Sequence, residues 1–463
     1  VNAPGQPVRV AAADLLAFTA RVFAARGVPA GRAAAAADAL CYGDLSGLSA
    51  HGLANLTRLY LPLFDSGRVD PDAEPRVLAD LGAAVLLDAQ RALGLWAASE
   101  AVDLAADRAG RFGVGMVSVR GATHFGCAGH HAARAVRRGM VGVVAANCGR
   151  QRILRPPGGR VAMLGTNPVS IAAPAGDHHP FVLDMSTSAV PTGRIRAAAR
   201  DGRPVPPGWL ADDDGNPVTD PAAFDRGAAH LLWLGGSPET GAYKGFGLGL
   251  TVEVLAGLVS GAGLGPAPEA LAGDGTPSGG DDDIGYLVLA IAPGLLREGT
   301  ALDRDAAALF GSLLACPPAR ADAPVRYPGW HEAERARENA ERGVPLPESL
   351  WQELRDLART LNLPAPPAVE PTSGPAPEPP ALSAPEPPAQ FTLEPPAQFT
   401  LESPALSAAE PPEPPALSAP EPPVQFTLES PALSALSAAG PPALSAPEPP
   451  ALPTADEPDA EAR

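Results

Sequence analysis

Residues Val117 to Gly126 read Val-Ser-Val-Arg-Gly-Ala-Thr-His-Phe-Gly. The β-branched alternation of Val117 and Val119 breaks at Gly121. The polar pair Thr123 and His124 follows, and Gly126 opens an Ala-rich stretch. That order predicts a strand, a glycine turn and a helix start, where free N–H groups suit an anionic ligand. A histidine at such a turn can give or take a proton near pH 7; a loop histidine capping a carbonyl fits the same residues. A second histidine, His51, lies in a stretch predicted to be helical after Gly47, with Asn55 and Arg58 at i+4 and i+7 on one face. Such a stripe is either a solvated side or an oxyacid site, in which a guanidinium grips a carboxylate with two parallel bonds beside a proton donor.

Further polar groups gather at predicted turns. Leu164-Gly-Thr-Asn-Pro168 precedes a strand, and Asp184-Met-Ser-Thr-Ser188 ends one with groups able to bond a ribose or phosphate. Gly235-Gly236 and Tyr243-Lys244-Gly245 lead into a helix. Lys244 is the only lysine against 33 arginines, which points to a place where a compact ammonium is wanted for phosphate. No G-x-G-x-x-G follows a strand and no G-x-x-x-x-G-K-[ST] is present, so a dinucleotide here would not use the usual Rossmann turn. The four cysteines, Cys41, Cys127, Cys148 and Cys316, have no zinc spacing, so no metal site is expected.

The elements that must carry these groups alternate. Helices are predicted at Ala11–Gly27 and Ala30–Tyr42. Then come a strand at Ala83–Asp88, a helix at Leu95–Arg111, a strand at Gly115–Arg120, a helix at Gly126–Arg138 and a strand at Met140–Asn147. This is the pattern of a layered α/β domain. Short strands follow at Val169–Ala173 and Phe181–Asp184, and long loops are expected from Thr192 to Pro221, which is rich in Gly, Pro and Asp. A long helix resumes at Lys244, a strand at Tyr286–Ile291, and helices at His331–Glu341 and Glu348–Leu361. Gly245 to Leu264, the longest apolar region, is interrupted by Glu253 and is expected to be a buried helix rather than a membrane span.

Charge separates the end of the chain from the rest. From Leu361 onward there are 14 acidic residues against the single basic Arg463, so 13 of the 18 net negative charges fall there. Nucleic acid and anionic membranes need cations and are not expected partners. Gln-Phe-Thr-Leu-Glu recurs at Gln390, Gln398 and Gln425, and Leu-Ser-Ala-Pro-Glu-Pro-Pro at Leu382, Leu417 and Leu444. Residues 364–463 are therefore expected to be a disordered Pro-rich tail. Its Phe391, Phe399 and Phe426 could serve as docking motifs; a purely solubilising tail fits as well. The few unpaired thiols and the lack of a charged segment followed by an apolar core point to a cytoplasmic protein.

Taken in order, several motifs resemble the malate/L-lactate dehydrogenase family that is unrelated to the Rossmann-type enzymes of the same name. They are Gly43-Asp-Leu-Ser-Gly-Leu-Ser-Ala-His-Gly52, Thr123-His-Phe-Gly126, Leu164-Gly-Thr-Asn-Pro168, Leu183-Asp-Met-Ser-Thr-Ser188, Pro207-Gly-Trp209, Leu234-Gly-Gly236 with Lys244-Gly245, and Tyr327-Pro-Gly329. The resemblance spans about Val8 to Leu363. It implies an α/β, non-Rossmann, L-sulfolactate dehydrogenase-like fold, with a helical segment at 1–80 and an α/β cofactor-binding and catalytic region at 81–363. It also implies a homodimer and hydride transfer between NAD or NADP and a small 2-hydroxy or 2-oxo acid. Related activities are cyclic imine reduction or, with catalysis lost, cofactor binding with a partner-recruiting tail. By the same resemblance His51 is the proton donor and His124 stands at the nicotinamide with Phe125, Gly126, Cys127 and Ala128. Asn55, Arg58 and Thr166 fall on the substrate side. Asp184, Met185, Ser186, Thr192, Gly193, Tyr243, Lys244, Pro328 and Gly329 fall on the cofactor side. The chain departs from the family at Ala50, commonly serine, and at Asn55, commonly arginine; Arg58 is the candidate to replace the lost anchor.

Overall fold

The computed structural model describes residues 7–369 except 273, 274 and 281. The chain opens with β1 (Val8–Val10), α1 (Ala12–Ala25), α2 (Ala30–Leu45), α3 (Leu61–Asp65), β2 (Arg76–Asp80), β3 (Ala84–Asp88), α4 (Gly94–Phe112), β4 (Val114–Ala122), α5 (Ala128–Val136), β5 (Val141–Ala146), β6 (Val169–Ala173) and β7 (Phe181–Met185). There follow α6 (Thr192–Arg200), β8 (Leu210–Ala211), β9 (Pro217–Val218), α7 (Ala222–Asp225), β10 (His230–Leu231), α8 (Ala242–Val252), β11 (Ile284–Ile291), α9 (Pro293–Leu296), α10 (Gly299–Leu314), α11 (Trp330–Arg342), β12 (Val344–Leu346) and α12 (Glu348–Thr360).

The main sheet runs β2-β3-β4-β11-β5-β6-β7. Only β3 and β4 are parallel; the other neighbours are antiparallel. A doubly wound dinucleotide fold needs a mostly parallel sheet, so this is a different α/β architecture. β11 enters from late in the sequence and pairs with β4 on one side and β5 on the other. Alternation along β4 buries Val117 and Val119, and α4 and α5 cover the sheet with small residues that let helix and strand approach closely. Trp96, Phe18, Phe23, Leu40, Tyr60 and Tyr286 are fully buried in this core. A second core around Leu164, Ile195, Phe224 and Trp233 lies under α6 and the small sheet β10-β8-β9.

Several expectations are corrected. The stretch after Gly47 is not one helix. It is a 3-10 turn at Ser49–His51, a π-helical turn at Leu56–Tyr60 and then α3, so His51 and Arg58 do not share a regular helical face. Part of the expected loop from Thr192 is the helix α6, whose Ile195 and Ala198 are buried. The apolar helix at 242–258 is not buried all round. α8 turns π-helical at Glu253–Leu258, and Tyr243, Leu248, Leu250, Val254, Leu255, Leu258 and Val259 are exposed. Among the described residues no helix is long and apolar enough to cross a membrane.

Residues 364–369, read as the start of the tail, are held against the body: Val369 N–H donates to Arg9 O (2.7 Å), and Trp351 Nε1–H donates to Pro366 O (3.3 Å). Antiparallel pairing of β1 with β12 places this junction beside the first strand. The repeats with Phe391, Phe399 and Phe426 lie outside the described residues.

Candidate active site

The turn after β4 is hung from buried side chains of several elements. Gly126 takes φ +83°, in the left-handed region, and a Cβ there would crowd Leu95 at 3.2 Å, so glycine is required to bend the chain into α5. The Gly126 N–H reaches His124 Nδ1 (3.2 Å), and the Tyr60 hydroxyl lies 2.7 Å from the same nitrogen. A backbone N–H can only donate, so Nδ1 is an acceptor and the neutral ring carries its proton on Nε2. Next along the turn, Phe125 packs edge-on to Tyr286 with centroids 4.9 Å apart, and its carbonyl accepts from His131 Nε2 (2.8 Å). Ser99 Oγ stands 3.2 Å from the other His131 nitrogen. Burial holds His131 well below its ordinary pKa, so it is neutral.

His51 approaches from the other side. Its ring lies parallel to that of His124, with planes 3° apart and centroids at 6.0 Å. Burial first, and the charge of Arg58 second, lower its pKa below the ordinary 6.5. Behind it, Asp44 at the end of α2 accepts the Leu53 N–H (2.6 Å), and loss of hydration pushes its carboxyl up to about 6. Gly52 is pressed onto that carboxylate, where a Cβ would fall 2.2 Å from an oxygen. Asn55 is buried. Its Nδ2 donates to Ala50 O (2.9 Å), and its Oδ1 accepts from the exposed Arg58 (2.6 Å).

The remaining candidates form a second group. Asp184, at the end of β7, accepts the Gly129 N–H of α5 (2.7 Å). It keeps exposed surface but sits in a crowded recess, and partial loss of water pushes its carboxyl up to about 6. A hydrogen-bonded ladder follows from there. Thr187 N–H donates to Thr166 O (2.9 Å), Leu234 N–H to Thr187 O (3.0 Å), and Gly245 N–H to Leu234 O (3.2 Å). Thr166, the Asp184–Ser188 segment with Met185 and Ser186, and the Tyr243–Lys244 start of α8 are thereby tied together. Thr192 and Gly193 begin α6 against the His51 turn, where a Cβ on Gly193 would meet the Ala50 methyl at 3.5 Å. Pro328 O accepts the Val182 N–H (3.1 Å), which seats Pro328 and Gly329 on β7 two residues before Asp184.

The structure therefore brings His51, Asn55, Arg58 and His124 together and ties Asp184 to the helix that follows His124. The side chains of Phe125, Cys127 and Ala128 are buried, and burial raises the Cys127 thiol far above its ordinary value. Tyr243 and Lys244 are exposed, with the Lys244 ammonium 5.9 Å from the Tyr243 ring centroid. Among the described residues no cluster of His, Cys, Asp or Glu can hold a metal ion, and all four cysteines are unpaired.

Sequence reasoning missed Tyr60 and Asp44. Nine residues beyond His51, Tyr60 falls opposite it at α-helical spacing; the 3-10 and π turns undo that geometry. Asp44 did leave a signal: an acid in the last turn of a helix opposes the dipole and needs another reason to be there. Glu253, noted only as an interruption, is a buried carboxylate that accepts from Asn167 (2.8 Å) and Gly265 N–H (2.9 Å), bracing the turn that carries Thr166.

A mostly antiparallel α/β sheet with paired histidines between α2 and α5 sets the protein apart from the nucleotide-binding Rossmann proteins. Residues 10–355 match the malate/L-lactate dehydrogenase family profile, and the chain belongs to that family. It is thus an oxidoreductase of a family that acts on hydroxy acids. A malate dehydrogenase of Pyrococcus horikoshii is 38% identical over 55% of this chain and 69% of its own length. A (2R)-3-sulfolactate dehydrogenase (NADP(+)) of Chromohalobacter salexigens is 33% identical over 72% of this chain and 92% of its own. The sulfolactate dehydrogenase structure from Methanocaldococcus jannaschii superposes with a TM-score of 0.67 at 28% identity, covering 77% of this chain and 98% of that one. The fold is of that sulfolactate dehydrogenase type.

Proposed function

We propose that the protein is an NAD(P)-dependent dehydrogenase of a small 2-hydroxy acid, in which His51 moves the proton. The observation that carries this reading is the parallel His51–His124 pair, with the His124 tautomer set by Tyr60 and Gly126 N–H. A bound nicotinamide would supply the hydride acceptor or donor. The donor set fits a dinucleotide. The N-termini of α6 and α8 have no side-chain cap, Lys244 makes no ion pair among the described residues, and Asp184 and Ser186 offer groups for a ribose. Thr192, Gly193, Tyr243 and Lys244 would hold the phosphates, with Pro328 and Gly329 closing the edge near β7.

The roles of this chain's own residues follow from their chemistry. With its pKa below 6.5, His51 is unprotonated at neutral pH and ready to take the proton of a substrate hydroxyl as charge leaves the carbon. In the reverse direction its protonated ring neutralises the oxygen of the nascent alcohol. His124 offers Nε2–H as a fixed donor. A homodimer belongs to the same reading, because the exposed apolar side formed by Leu248 and Leu250 of α8 and by Val254 and Leu258 of the π-helical turn after it suits a second copy.

The test follows NADH and NADPH oxidation against 2-oxo acids, with cofactor binding measured separately by fluorescence titration. Turnover that His51→Ala abolishes while nucleotide affinity persists is the expected result. Near-normal turnover in that variant, or no turnover of any 2-oxo acid by the unaltered protein, would overturn the reading.

A further inference from the structure

Asn167 stands in a conformation that a chain does not adopt unaided. Its φ is +36°, in the left-handed region, and Pro168 follows it, whose ring pushes the preceding residue toward extended backbone. Such a residue persists only where its surroundings over-determine it, and such residues gather at functional sites. Here the restraint comes from side chains. The buried Asn167 Nδ2 donates to Gly249 O (2.9 Å) and to the Glu253 carboxylate (2.8 Å), and the Asn167 carbonyl accepts from the Thr187 hydroxyl (3.3 Å). That hydroxyl also donates to Thr166 O (3.0 Å). The strained residue is held at its side chain and its backbone, and Thr166 is held with it.

Glu253 is 4% exposed, and N–H groups converge on it from three loops. One oxygen takes Asn167 Nδ2; the other takes Gly265 N–H (2.9 Å) and Asn147 Nδ2 (3.3 Å). Burial raises its pKa, and the three donors oppose that rise by favouring the ionised form. No cation among the described residues contributes to that balance. A carboxylate buried without a cation is a poor choice for stability alone. Asn147 carries the knot into the sheet, where its Oδ1 accepts the N–H groups of Gly149 (3.1 Å) and of Gly285 in β11 (2.9 Å). The turn that Glu253 opens is π-helical, a form found mostly as single turns and often at functional sites.

We propose that Glu253 is a positioning residue: through Asn167 it fixes the turn that aims the Thr166 hydroxyl, and it acts on the reaction by that route. This rests on the dehydrogenase reading, with Thr166 on the substrate side. Glutamine cannot replace the carboxylate. Both oxygens of Glu253 accept, whereas an amide has one acceptor. In either orientation its N–H groups oppose a donor, Asn167 Nδ2 in one and Gly265 N–H with Asn147 Nδ2 in the other. Asn167 cannot answer by turning its amide over, because Nδ2 is also committed to Gly249 O.

The experiment is a double-mutant cycle of Glu253→Gln and Thr166→Val, read with NADH and the fastest of pyruvate, oxaloacetate and 2-oxoglutarate. Glu253→Gln is expected to lower kcat/KM by about tenfold, while NADH affinity in a fluorescence titration changes by less than about twofold. On the Thr166→Val background the same substitution should alter kcat/KM by less than about twofold, because the hydroxyl it served is gone. An equal fall on both backgrounds, no fall on either, or a parallel loss of NADH affinity overturns the inference. Should Glu253→Gln fail to fold, Thr187→Val, which cuts the next link, takes its place in the cycle with the same expected and overturning results. His51→Ala in the same assay separates the two claims: if it is dead while the cycle is additive, the dehydrogenase reading stands and this inference falls. No turnover of any 2-oxo acid by the unaltered protein overturns both.

Discussion

The two histidine-bearing turns and the start of α8 are built on opposite principles. Around His124 the chain supplies partners from within: Tyr60 and Gly126 N–H on Nδ1, His131 on the Phe125 carbonyl, and Gly94 N–H on the Thr123 hydroxyl (3.0 Å). Around Lys244 the side chains stand in water, Tyr243 is 66% exposed, and one face of the helix is apolar and uncovered. The difference teaches that the His124 turn is set by partners within one chain, whereas the exposed side of α8 finds none among the described residues.

This contrast can be broken most severely at His51. His51→Ala is expected to lower kcat by about 10²–10⁴-fold, seen in steady-state assays with saturating cofactor. In the oxidation direction the unaltered enzyme should keep its rate at neutral pH and lose it only as pH falls below 6.5 through the depressed His51 pKa. Tyr60→Phe comes next. It removes one of the two bonds that fix His124 but keeps the packing, so kcat should fall by roughly tenfold with little change in thermal unfolding. On the α8 side Lys244→Ala should weaken NAD(P)H binding by roughly tenfold and leave kcat at saturation nearly intact, as fluorescence titration would show. The smallest effect on chemistry is expected from Leu258→Asp: a shift from dimer to monomer in sedimentation velocity, with cofactor affinity kept. Should Leu258→Asp instead silence the enzyme as fully as His51→Ala, the two halves are not separable in this way.

Much of the frame could be read from the amino acids, because strict periods leave little choice. Leu15, Phe18, Val22 and Phe23 mark α1, and the predicted strand at Val169–Ala173 is β6 residue for residue. The errors came where a local pattern depends on distant partners. Gly, Pro and Asp around α6 pointed to loop, yet Ile195 and Ala198 find a second core to fill. The apolar run at α8 signalled burial, but one side has no partner within the chain. Around the site, His51, His124 and Arg58 were visible as residue types able to do chemistry. Tyr60 was not, since no local rule announces a π turn, and its hydroxyl counts only because β4 delivers His124 to it.

The position of β11 bears on how the molecule is made. β4 and β5 flank it and cannot pair with each other, yet β11 is synthesised about 140 residues after β5, roughly 7–30 s later at ordinary rates of translation. Until then two inner strands stand with open edges, and the turn that carries His124 hangs from an unfinished sheet. A nascent chain cut short before Ile284 therefore holds the His124 turn without Tyr286, whose hydroxyl donates to Thr123 O and whose ring packs on Phe125, and it leaves two strand edges open to edge-to-edge pairing.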